Sequence, residues 1–259
     1  MSKPIRVLVF GTTGVGKTSV CNALTLEKKD ISSSAKGVTF ESYTYKEVEI
    51  RAGKSLIITD TVGLNEGQRG TVKPEEAANA LIKLLKNSGE GYNLLIHVFR
   101  IPRITKIEEN NYQFFVKIIA ESQIPTILVA TGCEGEEPMS KWKSENQGTF
   151  NHMGMKYEDI ICTCFASGGP PLLAQFYEVL RNESRQAVLN AIHTYAAPEP
   201  VKIYSSENGF IVLVKRSVNW VFNWLGLSQF RFELNKKLVE ILIQMGCPKE
   251  VAIKLAEQI

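Results

Sequence analysis

Gly11-Thr12-Thr13-Gly14-Val15-Gly16-Lys17-Thr18 is the stretch of this 259-residue chain whose residue types and spacing carry chemistry most plainly. It fits GxxxxGK[ST] and lies between the apolar run IRVLVF (5–10) and a helix-period segment, the strand-loop-helix setting of a phosphate loop. Glycines let backbone amides converge on phosphate oxygens with no Cβ in the way. The first helical turn after the loop adds unpaired N–H donors and the positive end of its dipole, a turn that includes Ser19. In that setting Lys17 reaches the β- and γ-phosphates and the Thr18 hydroxyl is a ligand for Mg²⁺.

Asp60-Thr61-Val62-Gly63 follows the run SLIITD (55–60). A carboxylate at that strand end can hold a magnesium-bound water, and the Gly63 amide can sense whether a γ-phosphate is present. The polar segment Ser32 to Thr39 reads as a loop that closes over the metal. Thr39 is the preferred second hydroxyl ligand, with Ser32, Ser33 and Ser34 as rivals. Farther along, the run TILVAT leads into Thr131-Gly132-Cys133-Glu134. Glu134 can accept from the N1–H and N2–H of guanine, charge-assisted bonds that adenine cannot return. Ala166-Ser167, after the run ending CTCF, stands where a backbone amide can meet the guanine carbonyl oxygen.

The elements that must position these residues alternate in type. Runs at 5–10, 44–50, 55–60, 93–99, 126–131 and 159–165 read as strands, nearly all apolar and so covered on both faces. Helices are expected after Lys17, from Pro74 to Lys86, from Ile107 to Ala120 and across 171–193. This is the α/β pattern of a P-loop three-layer sandwich with a mostly parallel central sheet. Two close prolines, Pro198 and Pro200, break the alternation. They mark a boundary between a nucleotide domain, 1–195, and a helical C-terminal extension, 196–259.

In that extension Phe210, Leu213, Val214, Val218, Val221, Trp224 and Leu225 fall at helical spacing. The stripe has two readings: a helix packed against the nucleotide domain, or a peripheral membrane contact through 210–225. His97 reads as a satisfied core histidine, and Cys162 and Cys164 as small buried side chains.

Composition closes off other classes. Hydrophobic residues at 44% and charged residues at 22% are globular values, and a net charge of +3 is too balanced for a dedicated nucleic-acid binder. Five cysteines form no regular framework and no CxxC pair with histidine partners. A reduced, cytoplasmic setting is expected, with no signal peptide and no spanning helix.

With GTTGVGKTS, Thr39 in KGVTF, DTVGL at 60–64, the stretch PRITKIEENN and the T-x-x-E base motif in view, the chain resembles the immunity-associated (GIMAP-type) GTPases. Those are relatives of septins and the chloroplast import GTPases within the translation-factor-related class. The likeness runs over about residues 5 to 190, and Gly132 departs from it by replacing the usual lysine of the base motif. It implies GTP and GDP binding with Mg²⁺, a conformational switch, nucleotide-controlled homodimerisation and, often, C-terminal membrane attachment. Lys17, Thr39, Gly63 and Arg69 make up the expected catalytic set, Arg69 acting in cis or across a dimer. Leu64 stands where Ras-like proteins carry the water-orienting glutamine, and Gln68 is the next one along. Turnover should therefore be slow, on the order of 10⁻⁴ to 10⁻³ per second. A non-hydrolysing nucleotide-binding module and an ATP-dependent small-molecule kinase are the competing classes.

Overall fold

A computed structural model describes residues 3–27, 42–51, 53–61, 74–166, 173–226, 239–240, 242–243 and 247–256. They fall into two compact units, the first holding 3–27, 42–61 and 91–201, the second 74–90 and the described residues from 202 onward.

The first unit is built on a seven-stranded sheet. Its strands are β1 (Ile5–Phe10), β2 (Ser42–Thr44), β3 (Val48–Arg51), β4 (Lys54–Thr61), β5 (Leu94–Arg100), β6 (Thr126–Thr131) and β7 (Ile160–Thr163). The order is β2-β4-β1-β5-β6-β7, with β3 also on β4. The pairs β1·β4, β1·β5, β5·β6 and β6·β7 are parallel, while β2 and β3 run antiparallel to β4. The expected single strand over 44–50 is thus two short ones, separated by a turn whose Tyr45 amide bonds the Ile58 carbonyl at 2.8 Å.

Side-chain alternation divides the core into two layers. Val7, Val9, Ile58, Ile96 and Val98 join α1 (Lys17–Thr25) through Val20 and Leu24, and α5 (Ala174–Tyr195) through Val188 and Ile192. On the opposite face Phe10 stacks on His97 at 4.6 Å and on Phe115 at 4.7 Å between centroids. Phe99 meets Trp142 of α4 (Lys141–His152) at 5.4 Å.

Phe115 belongs to a π-helical stretch, Gln113–Ile119, that continues α3 (Lys106–Tyr112). The expected helix over 107–120 therefore changes pitch midway, and Phe114 and Phe115 are both fully buried. Thr105 caps α3 by accepting from the Glu108 amide.

In the second unit, α2 (Pro74–Asn87) packs on α6 (Glu207–Leu225). Ser206 caps α6 by accepting from the Gly209 amide at 3.0 Å, and Gly226 ends it in the left-handed region. Leu213, Val214, Val218, Val221, Trp224 and Leu225 are buried, and Phe210, at the start of the stripe, is half-buried. Tyr204 donates to the Lys86 carbonyl and stacks edge-on with Phe210. Among the described residues no helix is long and apolar enough to cross a membrane.

Candidate functional site

The phosphate loop starts where β1 ends. Gly11 has φ +143°, and a Cβ there would lie 2.1 Å from the Val98 carbonyl oxygen of β5, so only glycine lets the loop leave the sheet at this point. Gly14, at φ +86°, has nothing within 4 Å of where a Cβ would stand, leaving the loop's outer side open. Gly16 takes φ +99° and delivers the chain into α1. Thr13 and Gly14 are exposed and Val15 is buried, anchoring the loop from beneath.

The Lys17 side chain is buried and its Nζ donates to the Thr12 carbonyl at 2.9 Å, folding the ammonium back over the loop. Desolvation lowers its pKa from the ordinary lysine value of 10.5, opposed by the charges of Asp60, Glu108 and Cys21. Register explains Asp60: β1 and β4 pair with Val9 opposite Asp60, so the end of β4 lies beside the loop. Thr18 Oγ1 donates to Asp60 Oδ2 at 3.1 Å, and Thr61 Oγ1 ties back to the Val9 carbonyl at 2.9 Å. A hydroxyl and a carboxylate side by side at a buried strand end are hard oxygen donors of the kind Mg²⁺ takes, so these residues fit that ion.

Thr131 is placed as a tie. Its Oγ1 lies 2.6 Å from the Val15 carbonyl and 3.2 Å from that of Phe99, joining the end of β6 to the phosphate loop. Gly132 follows at φ +84°. The Arg100 side chain lies across it, with Cζ 3.5 Å and Nε 3.8 Å from where a Cβ would stand. Glu134 is half-buried in the next turn. Its Oε2 is shielded from solvent and has no protein hydrogen-bond partner among the described residues. Ala166 lies just past β7, and its carbonyl accepts from the Arg181 guanidinium at 2.9 Å. Nearby, Cys164 is buried as expected, while Cys162 on β7 keeps partial access to solvent. Thr39, Gly63, Arg69 and Ser167, with Leu64, Gln68 and Ser32 to Ser34, lie outside the described residues.

Three contributors were not singled out from sequence. Arg100 ends β5 opposite Thr131, a proximity that comes from strand pairing and not from any motif. Asn111 of α3, inside the PRITKIEENN stretch, donates to Thr12 Oγ1 at 3.4 Å and to the Ile107 carbonyl at 2.9 Å. Glu108, also on α3, meets His97 Nε2 at 3.1 Å, while His97 Nδ1 lies 2.8 Å from the Tyr157 hydroxyl. His97 is thus the satisfied core residue expected of it.

Residues 6–132 match the 50S ribosome-binding GTPase family. Over those residues, just under half of its length, the chain is similar to P-loop GTPase domains. A curated relative of this domain, GTPase Der of Parvibaculum lavamentivorans, is 29% identical over 131 residues, covering 50% of this chain and 25% of its own length. The chain therefore spans about a quarter of that relative. Among solved structures, Aquifex aeolicus Era bound to GDP·AlF4⁻ aligns at 20% identity and a TM-score of 0.48, over 69% of this chain and 57% of Era. Toc33 from Arabidopsis thaliana, in complex with Mg²⁺ and GMPPNP, aligns at 19% identity and a TM-score of 0.46, over 75% of this chain and 87% of Toc33.

Proposed function

We propose that this chain is a guanine-nucleotide switch that binds GTP and GDP with Mg²⁺ and hydrolyses GTP slowly. The observation that carries the reading is convergence: Lys17, Thr18 and Asp60 meet at the carboxyl ends of β1 and β4, the ammonium folded over the loop and the two oxygen donors 3.1 Å apart. Lys17 exchanges the Thr12 carbonyl for phosphate oxygens, and loop amides supply the remaining donors. Magnesium held by Thr18 and the Asp60 side neutralises charge on the β- and γ-phosphates. Thr39 as a further hydroxyl ligand, Gly63 as the γ-phosphate sensor, Arg69 as a charge-stabilising group and Ala166 and Ser167 as base contacts are part of the proposal.

At the base, the shielded Glu134 oxygen is an acceptor awaiting donors, which guanine supplies as N1–H and N2–H. The guanidinium of Arg100 takes over the purine-stacking task that a lysine at 132 performs in the usual motif. The likeness to immunity-associated GTPases extends the proposal to nucleotide-controlled conformation or homodimerisation and to a cytoplasmic setting, with membrane contact through 210–225 left to the exposed side of α6. In functional terms 1–195 act as the GTP-binding domain and 196–259 as a helical extension, a division that cuts across the two compact units.

Phosphate release from GTP by the full chain tests the catalytic half. The expected rate is on the order of 10⁻⁴ to 10⁻³ per second and is lost in Lys17→Ala. Turnover of ATP with transfer to a small acceptor would overturn it in favour of a kinase.

A further inference from the structure

Phe10 and Thr12, the residues on either side of Gly11, are both held from α3 and its continuation. Phe10 is sandwiched between His97 at 4.6 Å and Phe115 at 4.7 Å, and Phe115 lies in the π-helical stretch that follows α3. His97 in turn meets Glu108 Oε2 through Nε2 at 3.1 Å. Three residues on, along the same face of the helix, Asn111 reaches Thr12. Glu108 and Asn111 are polar side chains taken out of solvent, a placement that needs partners, and the partners they find are at the root of the phosphate loop.

The orientation of the Asn111 carboxamide is set by an acceptor. The Ile107 carbonyl, 2.9 Å away, has no proton to give, so the atom facing it is Nδ2. The same Nδ2 turns its second hydrogen to Thr12 Oγ1 at 3.4 Å, a long bond in which the hydroxyl is the acceptor. A hydroxyl carries one proton, and with a donor on this side that proton goes to an acceptor elsewhere. The Thr12 carbonyl is engaged as well, taking the Lys17 ammonium at 2.9 Å. Among the described residues the next side-chain tie along the loop is Thr131 on the Val15 carbonyl, so the exposed Thr13 and Gly14 stand between two fixed points.

We propose that Asn111 is a positioning residue of the phosphate loop: from the buried face of α3 it holds Thr12 in place and leaves the hydroxyl proton to a phosphate oxygen of the nucleotide. This role rests on the reading of Gly11 to Thr18 as a nucleotide site. Asn111 acts through Thr12 and touches no phosphate itself. Its contribution is preorganisation, since a hydroxyl and a backbone already held lose less freedom when the ligand arrives. Glu108 and His97 supply the footing: they fix α3 to β5 and, through Phe10, steady the strand end from which the loop departs. The effect belongs to the phosphate end of the ligand. Losing Asn111 should therefore weaken GDP and inorganic triphosphate by the same factor, where losing Arg100 spares triphosphate.

The test is a double-mutant cycle on the full chain, with Asn111→Ala, Thr12→Val and the two combined, titrated with GDP and with inorganic triphosphate in the presence of Mg²⁺. Each single change should weaken both ligands by about threefold to tenfold, the size of one neutral hydrogen bond, and the double variant should be no weaker than the worse single one. Losses that multiply in the double variant, or a loss for GDP alone, overturn the proposal. Asn111→Leu keeps the buried volume and repeats the measurement without a cavity, so a poorly folded Asn111→Ala does not decide the outcome. In phosphate release from GTP the loss should appear in KM, because the bond is made to bound nucleotide throughout. A merely structural role lowers the folded fraction and the apparent kcat while KM stays where it was, and that result also overturns the proposal. If the unmodified chain takes up neither ligand, the nucleotide reading fails and this role falls with it. If it binds both, Lys17→Ala abolishes binding and the Asn111 variants bind as the unmodified chain does, the positioning role alone fails.

Discussion

Lys17 spends its charge in two ways depending on what fills the loop. Without phosphate, its Nζ has the Thr12 carbonyl as a neutral partner, and burial makes the ammonium form costly. Between the lowered pKa and 10.5 the folded chain therefore carries fewer protons than the unfolded chain. The cost is full below that window and fades as pH rises through it, so this group alone makes stability rise with pH there. A polyphosphate restores the charge, and binding should take up a proton, increasingly so as pH approaches 10.5. Titration calorimetry in buffers of different ionisation enthalpy reads this uptake directly; heats independent of the buffer at alkaline pH would contradict it.

Arg100 makes a second residue-scale prediction. Arg100→Ala should weaken GDP binding about fivefold to thirtyfold, the size of a partly desolvated cation–π contact, while inorganic triphosphate binding is unchanged. Equal losses for both ligands would argue for a structural role. Lys17, Thr18 and Asp60 were legible in sequence because phosphate and metal chemistry dictates both residue type and spacing. Arg100 was not, because its place over Gly132 depends on strand register.

At the scale of elements, strand order does the positioning. β1 lies between β4 and β5, so its loop receives Asp60 from one side and the Val98 carbonyl from the other. Gly11→Ala puts a Cβ against that carbonyl, and the backbone strain alone should cost about 1–3 kcal/mol. Urea unfolding of the nucleotide-free chain checks this, and an unchanged midpoint would refute it. The apolar strands were readable from their runs, since both faces of the sheet are covered. The pitch change at Gln113 was not: FFVKII has the periodicity of an ordinary helix, and nothing in the residue pattern marks the π-helical stretch in which Phe115 stacks on Phe10 of β1. Nor could sequence say why α3 matters, which becomes plain when Asn111 reaches Thr12 and Glu108 reaches His97.

For the whole molecule, the proline break near 198 is real as a change of pattern, yet the chain does not leave the first unit there. Asn93 donates to the Ala197 carbonyl at 2.7 Å and accepts from the Arg6 amide, and Tyr92 bridges Val201. These ties join residues about a hundred positions apart, beyond any local pattern. In the second unit α2 packs on α6, so a chain ending at Val201 removes that cover from α2. Such a chain should bind hydrophobic dye strongly where the full chain does not, and equal dye binding would contradict the pairing.

The central claim is that the loop from Gly11 to Thr18 grips a guanine nucleotide. Its most direct test is calorimetric titration of nucleotide-stripped, folded protein with GDP and with ADP in the presence of Mg²⁺. Stoichiometric GDP binding that Lys17→Ala abolishes, with ADP far weaker, is the predicted result. A folded chain that takes up neither nucleotide, or prefers ADP, would contradict the account.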